Sequence, residues 1–277
     1  MSLSMLAEGL RRERVSPFLV LGDPSPGLSP RLARAAVDAG AGMLELGFPY
    51  TDPVADGPAI QAADVRALAA GTSTSQAIEI LAEIRTACPA TPLNLLIYGN
   101  LVHARGFEAF CREVCEAGAS SLLVPDICLE ESETLWRSCR KAGLGHVQLV
   151  GPLTSEERLA RIDERADAFL YLVARQGVTG VRDDDFEAVE TLVRRVVHRT
   201  TNPLCLGFGL SGRDQVRRAF AAGARVAVIG SHLARLIEAE WERSNRDEDR
   251  LVAAFAEAVR DLIPEESARE AEGGDGC

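Results

Sequence analysis

The chain has 277 residues, of which 47% are hydrophobic and 26% are charged, a composition typical of a soluble globular protein with a sizeable core. Its formal net charge of −11 argues against nucleic acid as a partner, because binding to a phosphate backbone requires clustered lysine and arginine. No apolar run reaches the roughly 18 residues that a membrane span needs, so no membrane association is expected.

Short apolar runs alternate with amphipathic stretches of helical length along the whole chain. The predicted strands are 15–22, 42–47, 93–98, 120–124, 146–150, 168–173, 203–207 and 225–230. The helices predicted to follow them are 30–39, 75–87, 107–117, 132–141, 155–162, 186–198, 213–222 and 251–263. Additional helical segments, 58–70 and 231–240, follow strands 2 and 8.

Eight consecutive βα units predict a (β/α)₈ barrel, the TIM barrel of the α/β class, more readily than an open sheet. Ser29, before a proline, and Ser155, before two glutamates, are predicted to begin helices. Residues 1–264 are expected to form one domain, because no linker divides them. The polar, glycine-containing tail 265–277 is expected to be disordered.

The cysteines, histidines and single lysine limit the possible chemistry. The seven cysteines include no Cys-x-x-Cys pair and no secretory leader precedes them, which predicts reduced thiols and a cytoplasmic location. The four histidines lack the spacing of metal ligands, so no metal is predicted. Lys141 falls in a polar run typical of a helix end, which argues against a Schiff-base mechanism.

Chemistry in such a barrel lies at the carboxyl ends of the strands. Alternation places Met43, Glu45 and Gly47 of the second strand on one face. Leu44 and Leu46 take the other face, toward the helices, which directs Glu45 into the mouth of the barrel. A carboxyl group there loses hydration, so its neutral form is favoured and it becomes able to exchange protons. From the strand pattern alone, a structurally paired glutamate is the alternative.

The loop after this strand, 48–58, contains three prolines and two acids. Asp56 is suited to accept a hydrogen bond from a substrate N–H, and Asp52 is suited to cap the loop internally. Aspartate in such a proline- and glycine-containing loop is also ordinary turn chemistry. On composition alone, capping is therefore favoured for both acids.

Glycines at three strand ends favour a phosphate site. The seventh strand ends in GFG (207–209), the eighth ends at Gly230 and Ser231, and the sixth is followed by GVTG (177–180). Glycine lets backbone N–H groups approach a phosphate closely, and a helix N-terminus favours negative charge. The loops after strands 7 and 8 commonly hold phosphate in barrels of this class.

Six segments form a consistent set: LGDP (21–24), LELGFPYTDPVADGP (44–58), LLIYGNLV (95–102), YLVARQGVTG (171–180), GFGL (207–210) and IGS (229–231). In this combination they resemble the successive motifs of the tryptophan synthase α subunit family. The resemblance extends from about Phe18 to about Ile263. It implies a TIM-barrel lyase that cleaves indole-3-glycerol phosphate by retro-aldol chemistry to indole and glyceraldehyde 3-phosphate, a reaction of tryptophan biosynthesis.

The resemblance also implies roles for individual residues. The family's acid/base glutamate falls on Glu45, and the aspartate that binds the indole N–H falls on Asp56. Thr179 matches the residue of a loop that closes over the site and contacts this aspartate. The other implied contacts are Phe18, Leu96, Tyr98 and Tyr171 for the indole and glycerol pocket, and Gly180, Phe208, Gly209, Gly230 and Ser231 for the phosphate.

The family further implies a partner. Its α subunit works with a β subunit in an α₂β₂ complex, and the β subunit carries pyridoxal phosphate, so no cofactor is expected on this chain. A stand-alone indole-releasing lyase is an open alternative, as is a catalytically silent partner, against which the presence of Glu45, Asp56 and Thr179 argues. Cys128 departs from the family pattern, because an Asp-x-Pro loop usually has its proline there.

Overall fold

A computed structural model describes residues 6, 9–10, 12–173, 186–207 and 209–265 of the chain. Its strands are β1 (Arg14–Val20), β2 (Leu44–Gly47), β3 (Leu93–Leu96), β4 (Ser121–Leu123), β5 (Gly145–His146), β6 (Gln148–Val150), β7 (Leu170–Leu172), β8 (Leu204–Leu206) and β9 (Val226–Ile229). The helices that follow are α1 (Leu28–Asp38), α2 (Pro58–Ala69), α3 (Thr74–Ala87), α4 (Gly99–Arg105), α5 (Phe107–Glu116), α6 (Glu133–Ala142), α7 (Glu156–Arg165), α8 (Phe186–Val197), α9 (Arg213–Ala222), α10 (Ser231–Arg243) and α11 (Glu248–Leu262).

The strands form one parallel sheet, and its two edge strands, β5 and β6, directly follow one another in the chain. The strand order is β5-β4-β3-β2-β1-β9-β8-β7-β6. The end strands β5 and β6 are separated only by Val147, whose N–H donates to the Leu122 carbonyl on the β4 side. From the β7 side, the Asp167 N–H donates to the His146 carbonyl. The predicted fifth strand is therefore two short strands that close the ring, and the predicted barrel is confirmed.

Strand alternation sorts the apolar side chains into two layers. Leu44 and Leu46 are fully buried in the layer between the strands and the helices. Met43, Phe18 and Tyr171 belong to the layer inside the barrel. The predicted faces of the second strand are thus confirmed, because side chains two residues apart point the same way along a strand.

The two helices predicted in addition to the barrel helices are present as α2 and α10, but α4 was not predicted from the sequence. At its start, the Asp126 carboxylate accepts a hydrogen bond of 2.8 Å from the Gly99 N–H. At its end, Gly106 has a φ of 83°. A helix of seven residues is too short to establish a helical period. It depends instead on a capping group from the next βα unit, which the local sequence does not reveal.

One of the two predicted helix starts is wrong. α1 begins at Leu28, and Ser29 lies buried in its first turn, where Oγ accepts a hydrogen bond of 2.8 Å from the Gly22 N–H. Ser29 therefore fastens the loop after β1 to the helix instead of capping it. Ser155 is confirmed as a cap, because its Oγ accepts from the Arg158 N–H at 3.2 Å.

The chain termini leave part of the domain prediction open. Of the tail 265–277, only Glu265 belongs to the described residues, so the expected disorder stays a prediction, as does the single-domain assignment for 1–264. None of the helices formed by the described residues has the length and apolar character to cross a bilayer.

Candidate active site

Glu45 lies inside the barrel with both carboxyl oxygens hydrogen-bonded. Only 1% of the residue is exposed. The Asn94 amide donates to Oε1 at 2.8 Å from β3, and the Tyr171 hydroxyl donates to Oε2 at 2.9 Å from β7. Behind Asn94, the Ser121 hydroxyl donates to Oδ1 at 2.7 Å. A chain of polar groups therefore crosses the apolar interior with Glu45 at its centre.

Burial governs the protonation of Glu45. Loss of hydration raises the pKa of its carboxyl from the ordinary 4.5 to about 7, against the opposing effect of hydrogen bonds from Tyr171 and Asn94. The negative charge of the nearby Asp56 adds to the rise. A carboxyl group with this pKa is present in both forms near neutral pH, which suits it to give and to take a proton.

Two glycines make room for the aromatic rings beside Glu45. A Cβ atom on Gly207 would lie 1.9 Å from the Tyr171 hydroxyl oxygen, and one on Gly47 would lie 2.6 Å from the Phe18 ring. Any side chain at either position would collide with a ring. Gly207 in particular allows Tyr171 to reach Glu45.

The Asp56 loop is held over the barrel mouth by an aromatic pair. The Tyr98 hydroxyl donates to Asp56 Oδ2 at 2.6 Å and accepts from the Ala55 N–H at 3.0 Å. The Tyr98 ring stacks on Tyr50 with centroids 5.1 Å apart. Burial raises the pKa of Asp56, and the hydrogen bond from Tyr98 opposes that rise.

The two acids of this loop differ in their surroundings. The N-cap of α2 is Gly57, with no side-chain hydrogen bond at this position, so Asp56 is not the N-cap residue of this helix. Asp52 is exposed and accepts a hydrogen bond of 2.6 Å from the neighbouring Thr51 hydroxyl, which is local turn chemistry. Local capping therefore fits Asp52, whereas the Asp56 side chain contacts Tyr98 after β3.

A third acid lies behind the loop. Asp64 of α2 is buried and accepts a hydrogen bond from the Tyr50 backbone. Its Oδ2 has no hydrogen-bond partner among the described residues. Burial, with a further contribution from Asp56, raises the pKa of Asp64 to about 8. The sequence pattern did not single out Asp64.

The proposed phosphate contacts lie at the ends of two paired strands. β8 and β9 run side by side, and Gly230 and Ser231 begin the 13-residue α10 directly after β9. Gly209 has a φ of 76°, a conformation that glycine adopts readily. A Cβ on Gly230 would lie no closer than 3.5 Å to another side chain, so there is room beside its backbone. Thr179, Gly180 and Phe208 lie outside the described residues.

An ion-pair network joins the elements around the mouth. The Arg66 guanidinium of α2 donates to both carboxyl oxygens of Asp23, at 2.7 and 3.0 Å, in the loop after β1. Its third nitrogen donates to Glu238 of α10 at 2.8 Å. Asp23 is only 3% exposed, so the pair is desolvated on that side. Arg66 thereby connects α2, which follows the Asp56 loop, to α10, which begins at Ser231.

Two further predicted contact residues, Phe18 and Leu96, lie on the strands that flank β2. Phe18 is paired in register with Glu45, and Leu96 follows Asn94 by two residues on the same face of β3. Both contribute to the inner apolar layer, where Leu96 is partly buried. Among the described residues, no group of three or more His, Cys, Asp or Glu side chains is arranged to hold a metal ion.

Sequence reasoning missed Asn94 and Ser121. The signal was present, because each is a polar residue on the inward face of an apolar strand and in register with Glu45 across the sheet. Reading the alternation of β2 onto its neighbours would have placed both beside that carboxyl group.

Comparison with known proteins gives one consistent family. The family model described as tryptophan synthase alpha chain matches residues 7–263. The tryptophan synthase alpha chain of Shewanella oneidensis is 39% identical over 256 residues, which are 92% of this chain and 90% of that protein. The corresponding protein of a Synechococcus species is 43% identical over 235 residues, 84% of this chain and 87% of that one.

Solved structures give the same result. A chain from the tryptophan synthase α₂β₂ complex of Pyrococcus furiosus matches with a TM-score of 0.81 and 31% identity over 90% of this chain and 97% of that chain. Tryptophan synthase subunit alpha of Legionella pneumophila matches with a TM-score of 0.83 and 29% identity over 95% of this chain and 98% of that chain.

Proposed function

The chain belongs to the tryptophan synthase alpha chain family, and on that premise we propose that Glu45 and Asp56 carry out the family's lyase reaction. The reaction cleaves indole-3-glycerol phosphate to indole and glyceraldehyde 3-phosphate by retro-aldol chemistry. The observation that carries the assignment is the buried Glu45 carboxyl inside the barrel mouth, with a hydrogen bond to each oxygen.

Glu45 acts as the acid and base. Cleavage needs a proton on indole C3, which turns the ring into an indolenine-like cation and a good leaving group. Removal of the proton from the glycerol hydroxyl then drives C–C cleavage. A single carboxyl group whose pKa is about 7 is matched to both transfers, because neither protonation state is scarce at neutral pH.

Asp56 accepts the hydrogen bond of the indole N–H and so supports the cationic ring. The carboxylate has one oxygen, Oδ2, bound to Tyr98, and the loop that carries it is fastened by the Tyr98 hydroxyl and the stacked Tyr50 ring. A charge held in place before the ring becomes positive costs no reorganisation during the reaction. Tyr98 thus positions Asp56 as well as lining the pocket.

The rest of the substrate is bound by groups of two kinds. Phe18, Leu96, Tyr98 and Tyr171 line the indole and glycerol pocket. The phosphate is bound by the backbone around Gly209, Gly230 and Ser231 at the ends of β8 and β9, where the N-terminus of α10 favours an anion. Gly180 and Phe208 complete this part of the proposal, and Thr179 contacts Asp56 on closure of its loop.

The partner is a tryptophan synthase β subunit in an α₂β₂ complex, as in the solved Pyrococcus furiosus assembly. Val54 and Leu153, in loops at the carboxyl ends of strands, expose 81% and 76% of their surfaces there, as an apolar contact face would. Pyridoxal phosphate belongs to the β subunit and not to this chain. The only lysine of this chain, Lys141, lies in the last turn of α6 and forms an ion pair with Glu108 of α5. The location proposed for the complex is the cytoplasm.

The test is indole release from indole-3-glycerol phosphate by Glu45→Gln. Removing the exchangeable proton should lower kcat by about 10²- to 10⁴-fold while the fold is kept. Glu79→Gln makes the same chemical change at an exposed position of α3 and should leave the rate unchanged.

Two results would contradict the proposal. Equal cleavage by Glu45→Gln and the wild type would remove Glu45 from the mechanism. Loss of the circular dichroism signal of the folded protein in Glu45→Gln alone would assign the carboxyl group a structural role.

A further inference from the structure

The two oxygens of Glu45 have unequal neighbours. Oε1 accepts from the Asn94 amide at 2.8 Å, and Oε2 accepts from the Tyr171 hydroxyl at 2.9 Å. An amide NH₂ group only donates, whereas a phenol hydroxyl both donates and accepts. Asn94 and Tyr171 therefore interact differently with the two carboxyl oxygens once Glu45 is protonated.

Only one of the two carboxyl oxygens of Glu45 can be protonated while both hydrogen bonds are kept. A proton on Oε1 would make that atom a poor acceptor for the Asn94 amide. A proton on Oε2 leaves Oε1 as the carbonyl oxygen, still accepting from Asn94, while the Tyr171 hydroxyl turns to accept from the new O–H. Fully buried groups keep their hydrogen bonds, so the second arrangement is favoured.

We propose that Asn94 is a positioning residue that orients the Glu45 carboxyl group and reserves Oε2, beside Tyr171, for the exchangeable proton. This inference rests on the proposed function of Glu45 as acid and base. When the proton leaves Oε2 for the substrate, its bonding electrons stay on the carboxylate, and the Asn94 amide stabilises the resulting charge through Oε1. Ser121 supports the orientation by donating to Asn94 Oδ1, so the NH₂ group faces Glu45.

Within the part of the chain that the structure describes, three other ionisable groups interact with Glu45. Tyr171 faces it from β7, Cys205 lies near it on β8, and Asp56 acts on it from the loop after β2. None of these replaces the Asn94 contact at Oε1. Burial raises the pKa of the Cys205 thiol, so it stays neutral and contributes no charge.

The test replaces Asn94 with leucine, which has a similar size and no donor. The midpoint of Glu45, followed by ¹³C NMR of labelled glutamate carboxyls and assigned with Glu45→Gln, should rise by about 1 to 2 pH units, because a donor to the charged form is lost. In a plot of kcat against pH, the limb that reflects the ionisation of Glu45 should move by the same number of pH units. Cys205→Ala changes the volume nearby without removing a hydrogen bond and should leave the midpoint unchanged.

Infrared spectroscopy separates the two oxygens. At a pH where Glu45 is protonated, Asn94→Leu should raise the frequency of its C=O stretch, because the carbonyl oxygen loses its donor. Tyr171→Phe should change this frequency less, since Tyr171 contacts the oxygen that carries the proton. A larger effect of Tyr171→Phe than of Asn94→Leu would overturn the assignment of Oε2.

The design also holds if one variant fails to fold. Asn94→Leu leaves the Ser121 hydroxyl without its acceptor, so the double variant Asn94→Leu/Ser121→Ala provides a second test with the same expected shift. An unchanged Glu45 midpoint in whichever variant folds would refute the role of Asn94. The titration midpoint and the infrared band are measured without turnover, so they test the role of Asn94 independently of catalysis. Activity of Glu45→Gln would refute only the proposed function of Glu45.

Discussion

At the scale of single residues, burial of the Glu45 carboxyl group lowers the stability of the folded state when that group is ionised. This carboxyl group is enclosed by the barrel, and its pKa of about 7 means that the group ionises near neutral pH although only 1% of the residue is exposed. Hydrogen bonds from Asn94 and Tyr171 offset only part of the lost hydration. The same environment that makes the group reactive therefore makes the folded state sensitive to pH.

The first prediction concerns this sensitivity. The folded pKa is raised above the ordinary value of 4.5, so the folded state binds more protons than the unfolded state between about pH 4.5 and pH 7. The free energy of unfolding should fall across this window as the pH rises, with a contribution from Glu45 of about 3 kcal/mol. Glu45→Gln removes this contribution, because its amide oxygen can face Asn94 and its NH₂ group can face Tyr171.

Urea unfolding of both proteins at several pH values measures the difference. Glu45→Gln should gain stability relative to the wild type from pH 4.5 to pH 7 and keep a constant advantage above pH 7. A difference that does not depend on pH would show that Glu45 is ionised throughout that range.

At the scale of elements, the loop after β2 depends on contacts from outside itself. It carries Asp56, yet its anchors are the Tyr98 hydroxyl at the end of β3 and the buried Asp64 carboxyl of α2. Its three prolines restrict the backbone dihedral angles of the loop but have no N–H group to donate. The order of the loop is therefore set by its neighbours.

The second prediction concerns Tyr98→Phe. This change keeps the ring stacked on Tyr50 but removes the hydroxyl that binds both Asp56 and the Ala55 N–H. Hydrogen exchange of the Ala55 amide should accelerate by about 10- to 100-fold, and cleavage should slow. Tyr50→Phe is the matched control, because it loses only the bond from Asn100 and should leave the Ala55 amide protected. Equal exchange in the two variants would show that the hydroxyl of Tyr98 does not anchor the loop.

The sequence predicts elements well where the signal is local and periodic. The apolar runs placed the barrel strands, and the alternation in β2 placed Glu45 inside, since both follow from the two-residue period of a strand. α4 was missed because its capping group, Asp126, comes from the next βα unit, and the position of Ser29 was missed because its partner, the Gly22 N–H, lies seven residues earlier in the loop after β1. Asn94 was missed for a different reason: its role appears only when β2 and β3 are placed in register.

At the scale of the whole molecule, the carboxyl ends of the strands gather the proposed chemistry and the proposed partner face at one end of the barrel. Glu45, the Asp56 loop and the start of α10 all lie there. A β subunit bound to this end is able to favour the proposed closure of the loop that carries Thr179, without supplying a catalytic group of its own. Activation should then appear chiefly in kcat.

The third prediction tests this coupling through Thr179, which lies outside the described residues and is assigned to Asp56 by family resemblance. Thr179→Val keeps the shape of the side chain but removes its hydroxyl, so both basal cleavage and activation by the cognate β subunit should fall. Cleavage is measured for the wild type and the variant, each with and without the β subunit. Full activation of the variant would exclude Thr179 from the coupling, and no activation of the wild type would favour a stand-alone lyase.

The Arg66 network has a consequence for the choice of substrate. Its guanidinium holds α2, which follows the Asp56 loop, against α10, whose first residues are the proposed phosphate contacts. In the proposed function, the indole end of the substrate contacts the loop before α2 and the phosphate end contacts the start of α10, and Arg66 joins these two helices through the half-exposed Glu238. If the proposed contacts are correct, we expect the fixed spacing of the two helices to select substrates by the length of the carbon chain between the indole ring and the phosphate.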